Sequence, residues 1–460
     1  MMNTPQKFTL FILLILAISY KNVNASTVVT EPQKAIVVHP MVGPAKFIVT
    51  LWCPPPTDEA NMKILKRDGY TLVQVGQLQP DFGEDFNGPV WAADEYLKRL
   101  DIVQKYGLKA QIISRLFKPE NLNNPANLAL INDLINKIKN HPALDSYHLT
   151  DEPGISGMST WLPLFNYLKK KDPNHPGYIN LLPTYANATQ LGVAAPLSLN
   201  DPEWNSENLE GSQANSLLIG NFNAYLKGYI EKYNPKLISY DHYHFLKNGV
   251  DGGEYFLNLA LIRNAAVKTG VPFLNIVQAC TIEPTWRLVN ENEMRWLAYT
   301  TMAYGGRGIS WFLYWGSIAY GGMYQEGKRM PLADYAATIN REIAILGPEL
   351  IKLNSTAVYQ TSPLPVGSMP IPDNSSVNIK SGQFVLGFFK SALIPNAFMV
   401  VNRDYKNRST AEFVLNYGNA TLWRFYTTSG KWKKEQKTQS GTVISVSLHP
   451  GEGALFKVVK

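Results

Sequence analysis

The sequence predicts an α/β protein: a TIM (β/α)₈ barrel followed by a small C-terminal antiparallel β-sandwich. Three observations favour this fold. Short apolar runs alternate with helical patterns over about 300 residues, which fits the usual size of such a barrel. In the last hundred or so residues apolar and polar side chains alternate, with turn residues between the runs, which is typical of antiparallel sheets. The chain of 460 residues is also 45% apolar and 17% charged, enough for one large core and a smaller domain.

The predicted barrel strands are short runs rich in β-branched and aromatic residues. They cover residues 47–52, 71–76, 108–114, 145–150, 177–182, 237–240, 273–278 and 308–315. Amphipathic segments lie between them. In residues 124–142, for example, apolar side chains recur at helical spacing until Pro142, and a later segment ends at Gly270. A doubly wound open sheet is the alternative, but "LWCPPPTDEA" puts prolines after the first strand where that fold carries a glycine-rich loop.

The domain organisation follows from these patterns. Residues 1–25 combine a basic Lys7, an apolar segment and small residues at Val23 and Ala25, which predicts a secretory signal peptide and a mature chain beginning near Ser26. Residues 26–355 are predicted to form the barrel and residues 356–460 the sandwich. No run in the mature chain approaches the ~20 apolar residues of a membrane span. We therefore expect a secreted or periplasmic protein.

Charge and cysteine content exclude several classes of protein. The formal net charge of +7 is spread along the chain in short runs such as "KWKK", which are more typical of solvated faces than of nucleic-acid sites. Two cysteines, Cys53 and Cys280, are too few for a disulfide scaffold, although they could pair in an oxidising compartment. No cysteine and histidine spacing suggests a metal site. We predict no metal, no cofactor and no nucleic-acid partner, and the sequence gives no oligomeric state.

The stretch "YHLTDEPG" ends the predicted fourth strand on two adjacent carboxylates, Asp151 and Glu152. In this fold the active site lies at the carboxyl ends of the strands. Neighbouring carboxylates in a partly desolvated pocket raise one pKa and so create a proton donor near neutral pH. Glycoside hydrolysis needs such a donor for the leaving oxygen. The alternative is a helix start, with Thr150 or Asp151 as N-cap and Pro153 in the first turn.

Side chains at the other strand ends suit a sugar ligand. Aromatic rings stack on the apolar face of a pyranose, while amides, carboxylates, histidine and arginine bind hydroxyl groups. The candidate residues are Trp52, Gln77, Arg115, Tyr240, Asp241, His242, Tyr243, Gln278, Trp311, Tyr314 and Trp315. A single aromatic such as Trp311 or Tyr240 could instead fill the barrel interior. The whole set predicts a carbohydrate cleft.

On "HPALDSYHLTDEP", "ISYDHYHF" and "GGRGISWFLYW" the sequence resembles the retaining (β/α)₈-barrel glycoside hydrolases of clan A, in particular β-galactosidase-like (family 42-like) proteins. The resemblance implies a general acid/base at Glu152, although Asp151 stands where these proteins usually have Asn. It implies a nucleophilic Glu at the end of the seventh strand, where this chain has Gln278, an amide that cannot form the glycosyl ester. Glu283, five residues further on, is a possible alternative nucleophile.

Two other mechanisms remain open. Asp241 could act as general base on a water opposite Glu152, which would invert the anomeric centre. Alternatively, the site is similar to substrate-assisted hexosaminidases and chitinases. That similarity implies that Asp151 orients the acetamido group of the substrate, Glu152 donates the proton, Tyr240 or Tyr243 binds the acetamido oxygen and Trp311 floors the pocket.

Two hypotheses on function other than hydrolysis follow. A barrel that lost its nucleophile at Gln278 could be a non-catalytic carbohydrate-binding protein. The C-terminal domain could also bind sugar through Trp423, Tyr426 and Trp432, although aromatics at this alternating spacing are more typical of a sandwich core.

Overall fold

The structure is a computed structural model that describes residues 46–76, 90–193, 216–249, 251–316 and 321–460. The predicted signal peptide and Gln77 lie outside the described residues. The barrel strands are β1 (Ile48–Leu51), β2 (Leu72–Gly76), β3 (Lys109–Ile113), β4 (Leu144–Asp151), β5 (Gly177–Leu181), β6 (Ile238–His242), β7 (Phe273–Gln278) and β8 (Gly308–Phe312). Every predicted barrel strand overlaps one of these.

Helices follow the barrel strands. They are α1 (Glu59–Arg67), α2 (Ala93–Lys105), α3 (Pro125–Ile138), α4 (Ile155–Lys171), α5 (Ala188–Leu191), α6 (Ser216–Tyr233), α7 (Tyr255–Thr269), α8 (Glu291–Ala303) and α9 (Pro331–Leu350). Within the described residues, none of them is both long and apolar enough to cross a bilayer. The caps agree with the sequence: the Asn124 side chain caps α3, and Gly270 ends α7 in the left-handed conformation at φ +72°.

The eight barrel strands form one parallel sheet in which chain neighbours are also spatial neighbours, and β1 pairs with β8. The ring is joined between β1 and β2 by a hydrogen bond from Thr71 N to Val49 O, 2.8 Å long. This order confirms the TIM barrel and excludes the doubly wound open sheet, whose strand order reverses in the middle.

The strands after the barrel are mostly antiparallel. A small sheet follows β8 and contains β9 (Trp315–Gly316), β10 (Tyr324–Gln325) and β11 (Lys328–Arg329). The C-terminal strands are β12 (Asn354–Gln360), β13 (Val377–Ile379), β14 (Phe384–Lys390), β15 (Ala397–Asn402), β16 (Ser409–Leu415), β17 (Ala420–Tyr426), β18 (Lys431–Thr438), β19 (Thr442–Leu448) and β20 (Gly453–Val459). They build a six-stranded sheet, β12-β14-β15-β20-β17-β18, and a three-stranded sheet, β13-β16-β19. The predicted sandwich is thus confirmed, while its boundary at residue 356 stays a prediction.

The six-stranded sheet is buried on both faces at β15. Along β15, Phe398 and Val400 belong to the sandwich core, whereas Met399 and Val401 belong to the barrel core. Since side chains alternate between the faces of a strand, both faces of β15 must be apolar, which explains the continuous run "AFMVV". Trp432 also faces the barrel side, where its indole N–H donates to Glu349 of α9 at 2.9 Å. This corrects the prediction that it belongs to the sandwich core.

Gly387 in β14 allows the six-stranded sheet to approach the end of α8. A Cβ atom at this position would lie 2.2 Å from the carbonyl oxygen of Ala303. We therefore expect Gly387→Ala to lower the free energy of unfolding by about 1 to 3 kcal/mol, because overpacking forces the sheet and the helix apart. Urea unfolding followed by circular dichroism measures the change.

Gly253→Ala is the matched control, since a Cβ atom there would have no neighbour within 4 Å. If both substitutions change the free energy of unfolding equally, close packing at Gly387 is not the cause.

Candidate active site

The candidate acid Glu152 directly follows β4 and has an unusual backbone conformation. Its φ is +47°, in the left-handed region where a residue with a Cβ atom pays on the order of 1 to 3 kcal/mol. The Glu152 N–H donates to the carbonyl oxygen of Asn180 at 2.9 Å, which helps to hold this conformation. The helix that follows begins at Ile155 after Gly154, and no side chain caps it. Neither Thr150 nor Asp151 therefore acts as the predicted N-cap.

Asn180 of β5 connects the two aspartates of the site. Its side-chain Nδ2 donates to Asp151 Oδ1 at 3.0 Å and to Asp241 Oδ1 at 2.8 Å. Its Oδ1 accepts a hydrogen bond from the Ser239 hydroxyl at 3.1 Å, and the Tyr178 hydroxyl lies 2.7 Å from the same serine oxygen. A register shift in β4 places Asp151 opposite Asn180, so that one amide side chain reaches carboxylates on both neighbouring strands.

Glu152 and Asp241 are close enough for their carboxyl groups to share a proton. Burial raises the pKa of Glu152 well above its usual range, and the negative charges of Asp241 and Asp151 and a hydrogen bond to Asp241 raise it further. Asp241 Oδ2 is buried and has no N–H or O–H donor among the described residues. A protonated Glu152 carboxyl supplies the missing donor.

The two aspartates also have raised pKa values. Burial, followed by the charge of Asp151, raises the pKa of Asp241 to about 7, although hydrogen bonds from Glu152 and Asn180 oppose the shift. Burial likewise raises the pKa of Asp151 to about 6, against the hydrogen bond from Asn180. Asp151 is exposed to solvent although protein atoms are densely packed around it, and Glu152 is half-buried. Of the three carboxyls, Asp151 is therefore the most accessible to a ligand.

Tyrosine side chains surround the carboxylates. The charges of Asp241 and Glu152 raise the pKa values of Tyr185, Tyr225 and Tyr243, in addition to the effect of burial. All three therefore stay protonated at neutral pH and can donate hydrogen bonds. Tyr225 donates to the carbonyl oxygen of Pro153 at 2.9 Å, which fixes the turn after Glu152.

His148 lies one interior layer below the end of β4, between two aromatic rings. Its ring centroid is 5.3 Å from that of Trp52 and 5.4 Å from that of Tyr178. Burial lowers the pKa of His148 to about 4, so the ring is neutral at physiological pH. Its Nδ1 lies 3.3 Å from Gln111 Oε1. Trp52, predicted from the first strand end, is thus part of an aromatic layer in the barrel interior.

A cavity of about 320 Å³ extends from this aromatic layer toward the amino-terminal end of the barrel. Its lining includes Thr50, Gln74, Gln111, Ser146 and Ser310, all of them buried interior residues. Most barrels of this type fill these layers with branched apolar side chains. The carboxylate site therefore stands above an unusually polar barrel interior.

Several predicted sugar ligands point away from the carboxylates. Trp311 donates through its indole N–H to Asn340 of α9 at 2.8 Å, so it packs outside the barrel and does not floor the site. Tyr240 is fully buried against Phe273 on the outer side of β6. His242 is buried with its Nδ1 2.9 Å from Asn258 of α7. The physical reason is alternation: the neighbours of the inward-facing Ser239, Asp241 and Ser310 must face outward.

The remaining candidate sugar ligands also contact other side chains. Tyr314 packs against Tyr70 and Tyr324, and Trp315 stacks on Tyr324 with an interplanar angle of 8°. Among the predicted aromatic ligands, Tyr243 lies near the carboxylates and packs on Trp286 and Phe312 with centroid distances of 4.2 and 5.1 Å. Arg115 is half-buried, two residues after the end of β3 and close to Tyr96.

The two candidates near the end of β7 do not supply a nucleophile. Gln278 is fully buried, accepts from Phe245 N at 3.0 Å and donates to the carbonyl oxygens of Phe245 and Arg287 at 3.1 and 2.9 Å. It thus holds the loop after β6. The Glu283 side chain is 67% exposed and forms an ion pair with Lys247.

Cys53 and Cys280 lie in one small apolar cluster with Leu313, and both thiols are free. Burial raises both pKa values. Neither thiol is therefore a ready nucleophile, since the reactive form is the thiolate.

Sequence reasoning missed Asn180, Ser239 and Tyr178, which organise the carboxylates. The available signal was a polar Asn inside the apolar run "GYINLL", one residue before the end of β5. A polar side chain at that height of a barrel strand faces the catalytic end whenever its neighbours face outward.

The structure is similar to solved structures at low sequence identity. One described as a glycoside hydrolase is 14% identical with a TM-score of 0.52, and the match covers 91% of this chain and 93% of that chain. A family 5 glycoside hydrolase from Bacteroides vulgatus is 13% identical with a TM-score of 0.53, covering 90% and 89% of the two chains. No protein-family model and no curated protein matches the sequence. At these identities the similarity shows a shared fold.

The raised pKa of Asp241 predicts how stability depends on pH. An acid that binds its proton more tightly in the folded state favours folding at low pH, and this contribution is lost as pH rises from the ordinary value of 3.8 to the folded value of about 7. We expect Asp241→Asn to raise the free energy of unfolding relative to wild type at pH 8, with a smaller gain at pH 4. Urea unfolding at both pH values measures this difference.

Asp334→Asn is the control, because Asp334 is 68% exposed in a surface ion pair with Arg329. A gain at pH 8 that is no larger for Asp241→Asn than for this control would contradict the burial of Asp241 as an ionisable group.

Proposed function

We propose that this protein is an exported glycoside hydrolase in which Glu152 donates a proton to the leaving oxygen of a glycosidic bond. The observation that carries the proposal is the raised pKa of Glu152, beside two ionisable aspartates, at the carboxyl ends of the barrel strands. A carboxyl group that keeps its proton near neutral pH is the donor that glycoside hydrolysis requires. The fold shared with structures described as glycoside hydrolases supports this reaction class.

The spacing of the carboxyl groups bears on the mechanism. Inverting enzymes separate their two carboxyls by ~6.5 to 9.5 Å to admit a water, and retaining enzymes by ~5 to 5.5 Å. Glu152 and Asp241 are within hydrogen-bonding reach of each other, which leaves no room for a sugar carbon or a water between them. The Gln278 amide is engaged in hydrogen bonds to the backbone. The Glu283 carboxylate forms a surface ion pair with Lys247. These contacts disfavour Asp241, Gln278 and Glu283 as the second catalytic group.

The acetamido group of the substrate is the second catalytic group that fits best. On this proposal its carbonyl oxygen attacks the anomeric carbon while the bond to the leaving oxygen breaks, and the Glu152 proton passes to that oxygen. Asp151, accessible and ionised above a pH of about 6, accepts a hydrogen bond from the acetamido N–H and orients the group. Water then adds to the anomeric carbon, the bond to the acetamido oxygen breaks, and Glu152 takes the water proton back.

Tyr185 and Tyr243 complete this proposed pocket. Their hydroxyls stay protonated beside Asp241 and Glu152, so either can donate to the acetamido oxygen and hold it in position to attack the anomeric carbon. The proposal of export rests on the signal-peptide pattern of residues 1–25.

Glu152→Gln should lower kcat/KM by about 10²-fold or more, because the amide cannot donate an acidic proton. Hydrolysis of aryl glycosides with a poor leaving group measures the loss. Glu283→Gln is the control and should retain wild-type activity, since its exposed carboxylate is paired with Lys247. Equal activity of Glu152→Gln and wild type would exclude Glu152 as the acid.

A panel of aryl hexosides with and without a 2-acetamido group tests the substrate. We expect turnover only of 2-acetamido sugars, and we expect Asp151→Asn to lose most of that activity because the orienting charge is removed. Turnover of plain hexosides would point to a protein nucleophile or base. Binding of sugars by the wild type without any turnover would favour a carbohydrate-binding barrel instead.

A further inference from the structure

We propose that Asn180 is a positioning residue that keeps the single proton of the three-carboxyl site on Glu152. It does so by holding Asp151 and Asp241 as anions. The inference concerns the same site as the proposed hydrolase and explains how that site selects its acid. It depends on hydrogen-bond geometry that can be tested without a substrate.

The orientation of the Asn180 amide is fixed by its neighbours. The Ser239 hydroxyl donates to Asn180 Oδ1 at 3.1 Å. Since that hydroxyl has one proton, the Tyr178 hydroxyl at 2.7 Å must donate to Ser239. A flipped amide would place Oδ1 3.0 and 2.8 Å from carboxylate oxygens of Asp151 and Asp241, two acceptors against an acceptor, so the side-chain nitrogen of Asn180 faces the carboxylates.

Both N–H groups of the amide are used on carboxylates, one on Asp151 at 3.0 Å and one on Asp241 at 2.8 Å. An amide N–H can donate but cannot accept, so it favours the ionised form of each aspartate. Asn180 offers Glu152 only its backbone carbonyl, which accepts from the Glu152 N–H. The same residue thus stabilises two anions and leaves the third carboxyl without a donor.

The other groups around the site carry no positive charge that would favour the anion of one carboxyl over that of another. Four tyrosines face the carboxylates from β5, α6 and the loops after β5 and β6, and burial keeps them neutral: Tyr178, Tyr185, Tyr225 and Tyr243. His148 of β4 is neutral, and burial also holds the Cys53 thiol protonated beside Asp151. None of the groups that shift the pKa values of the three carboxyls, among the described residues, is a cation.

Carboxyl ¹³C NMR titration of protein labelled at Asp Cγ and Glu Cδ tests the proposal directly. Asn180→Leu removes both N–H donors and keeps the branching of the side chain. We expect the titrations of Asp151 and Asp241 to move up by about one pH unit, as the loss of a hydrogen bond to a charged group implies. We expect the Glu152 signal at neutral pH to move toward its ionised position, because the aspartates now compete for the proton.

Asn275→Leu is the matched control. Asn275 is an equally buried asparagine on β7, but its side chain donates to Thr301 of α8 at 2.9 Å and faces away from the barrel interior. This variant should lose stability without moving the three titrations. If Asn180→Leu and Asn275→Leu give the same titration curves, Asn180 has only a structural role and the proposal is overturned.

Ser239→Ala provides a second route if Asn180→Leu does not fold. It keeps Asn180 but removes the hydroxyl that fixes the amide, so the aspartate titrations should move in the same direction by a smaller amount. Unchanged titrations in this variant, together with a circular dichroism spectrum like that of wild type, would also contradict the proposal.

The titration separates this inference from the proposed function. Shifts of the expected kind with no turnover on any glycoside would retain Asn180 as the group that places the proton and reject the hydrolase. Turnover that depends on Glu152 with no shift in Asn180→Leu would retain the hydrolase and reject the role of Asn180.

Discussion

The candidate site of this protein depends on three carboxyl groups gathered around one buried asparagine. Asp151 and Asp241 come from strands on either side of β5, and Asn180 of β5 donates to both. Buried carboxylates without donors would cost several kcal/mol each, so the amide and the shared proton make the cluster possible. The left-handed backbone at Glu152, held by the Asn180 carbonyl, belongs to the same unit.

The rest of the barrel holds these strand ends in register. Gln278, at the end of β7, uses its amide to bind both backbone groups of Phe245, and so fixes the loop that follows Asp241 and Tyr243. The C-terminal sheets contribute as well, because the Tyr405 hydroxyl donates to Asp251 in the same loop. Packing of the six-stranded sheet on the barrel helices therefore stabilises one wall of the site as well as the fold.

The sequence located the strand ends correctly because a buried parallel strand is a short apolar run, and such runs are visible without tertiary information. The rule that barrel sites lie at carboxyl ends then brought Asp151, Glu152, Asp241 and Tyr243 together. It could not separate inward from outward side chains at the ends. Tyr240 and Trp311 each lie one position away from a residue that faces the barrel interior. A bulge such as the one in β4, or a shift of one position, moves a side chain to the other face of its strand.

The sequence by itself determined the barrel, the appended sheets and the acidic pair at the end of β4, because these follow from local periodicity and from adjacent residues. Only the tertiary structure decided which groups surround that pair. Asn180 lies 29 residues from Asp151 and 61 residues from Asp241 along the chain. The direction of a hydrogen bond and the choice of the carboxyl group that carries the proton depend on which donors and acceptors are in contact in the folded protein. Local sequence patterns do not contain that information.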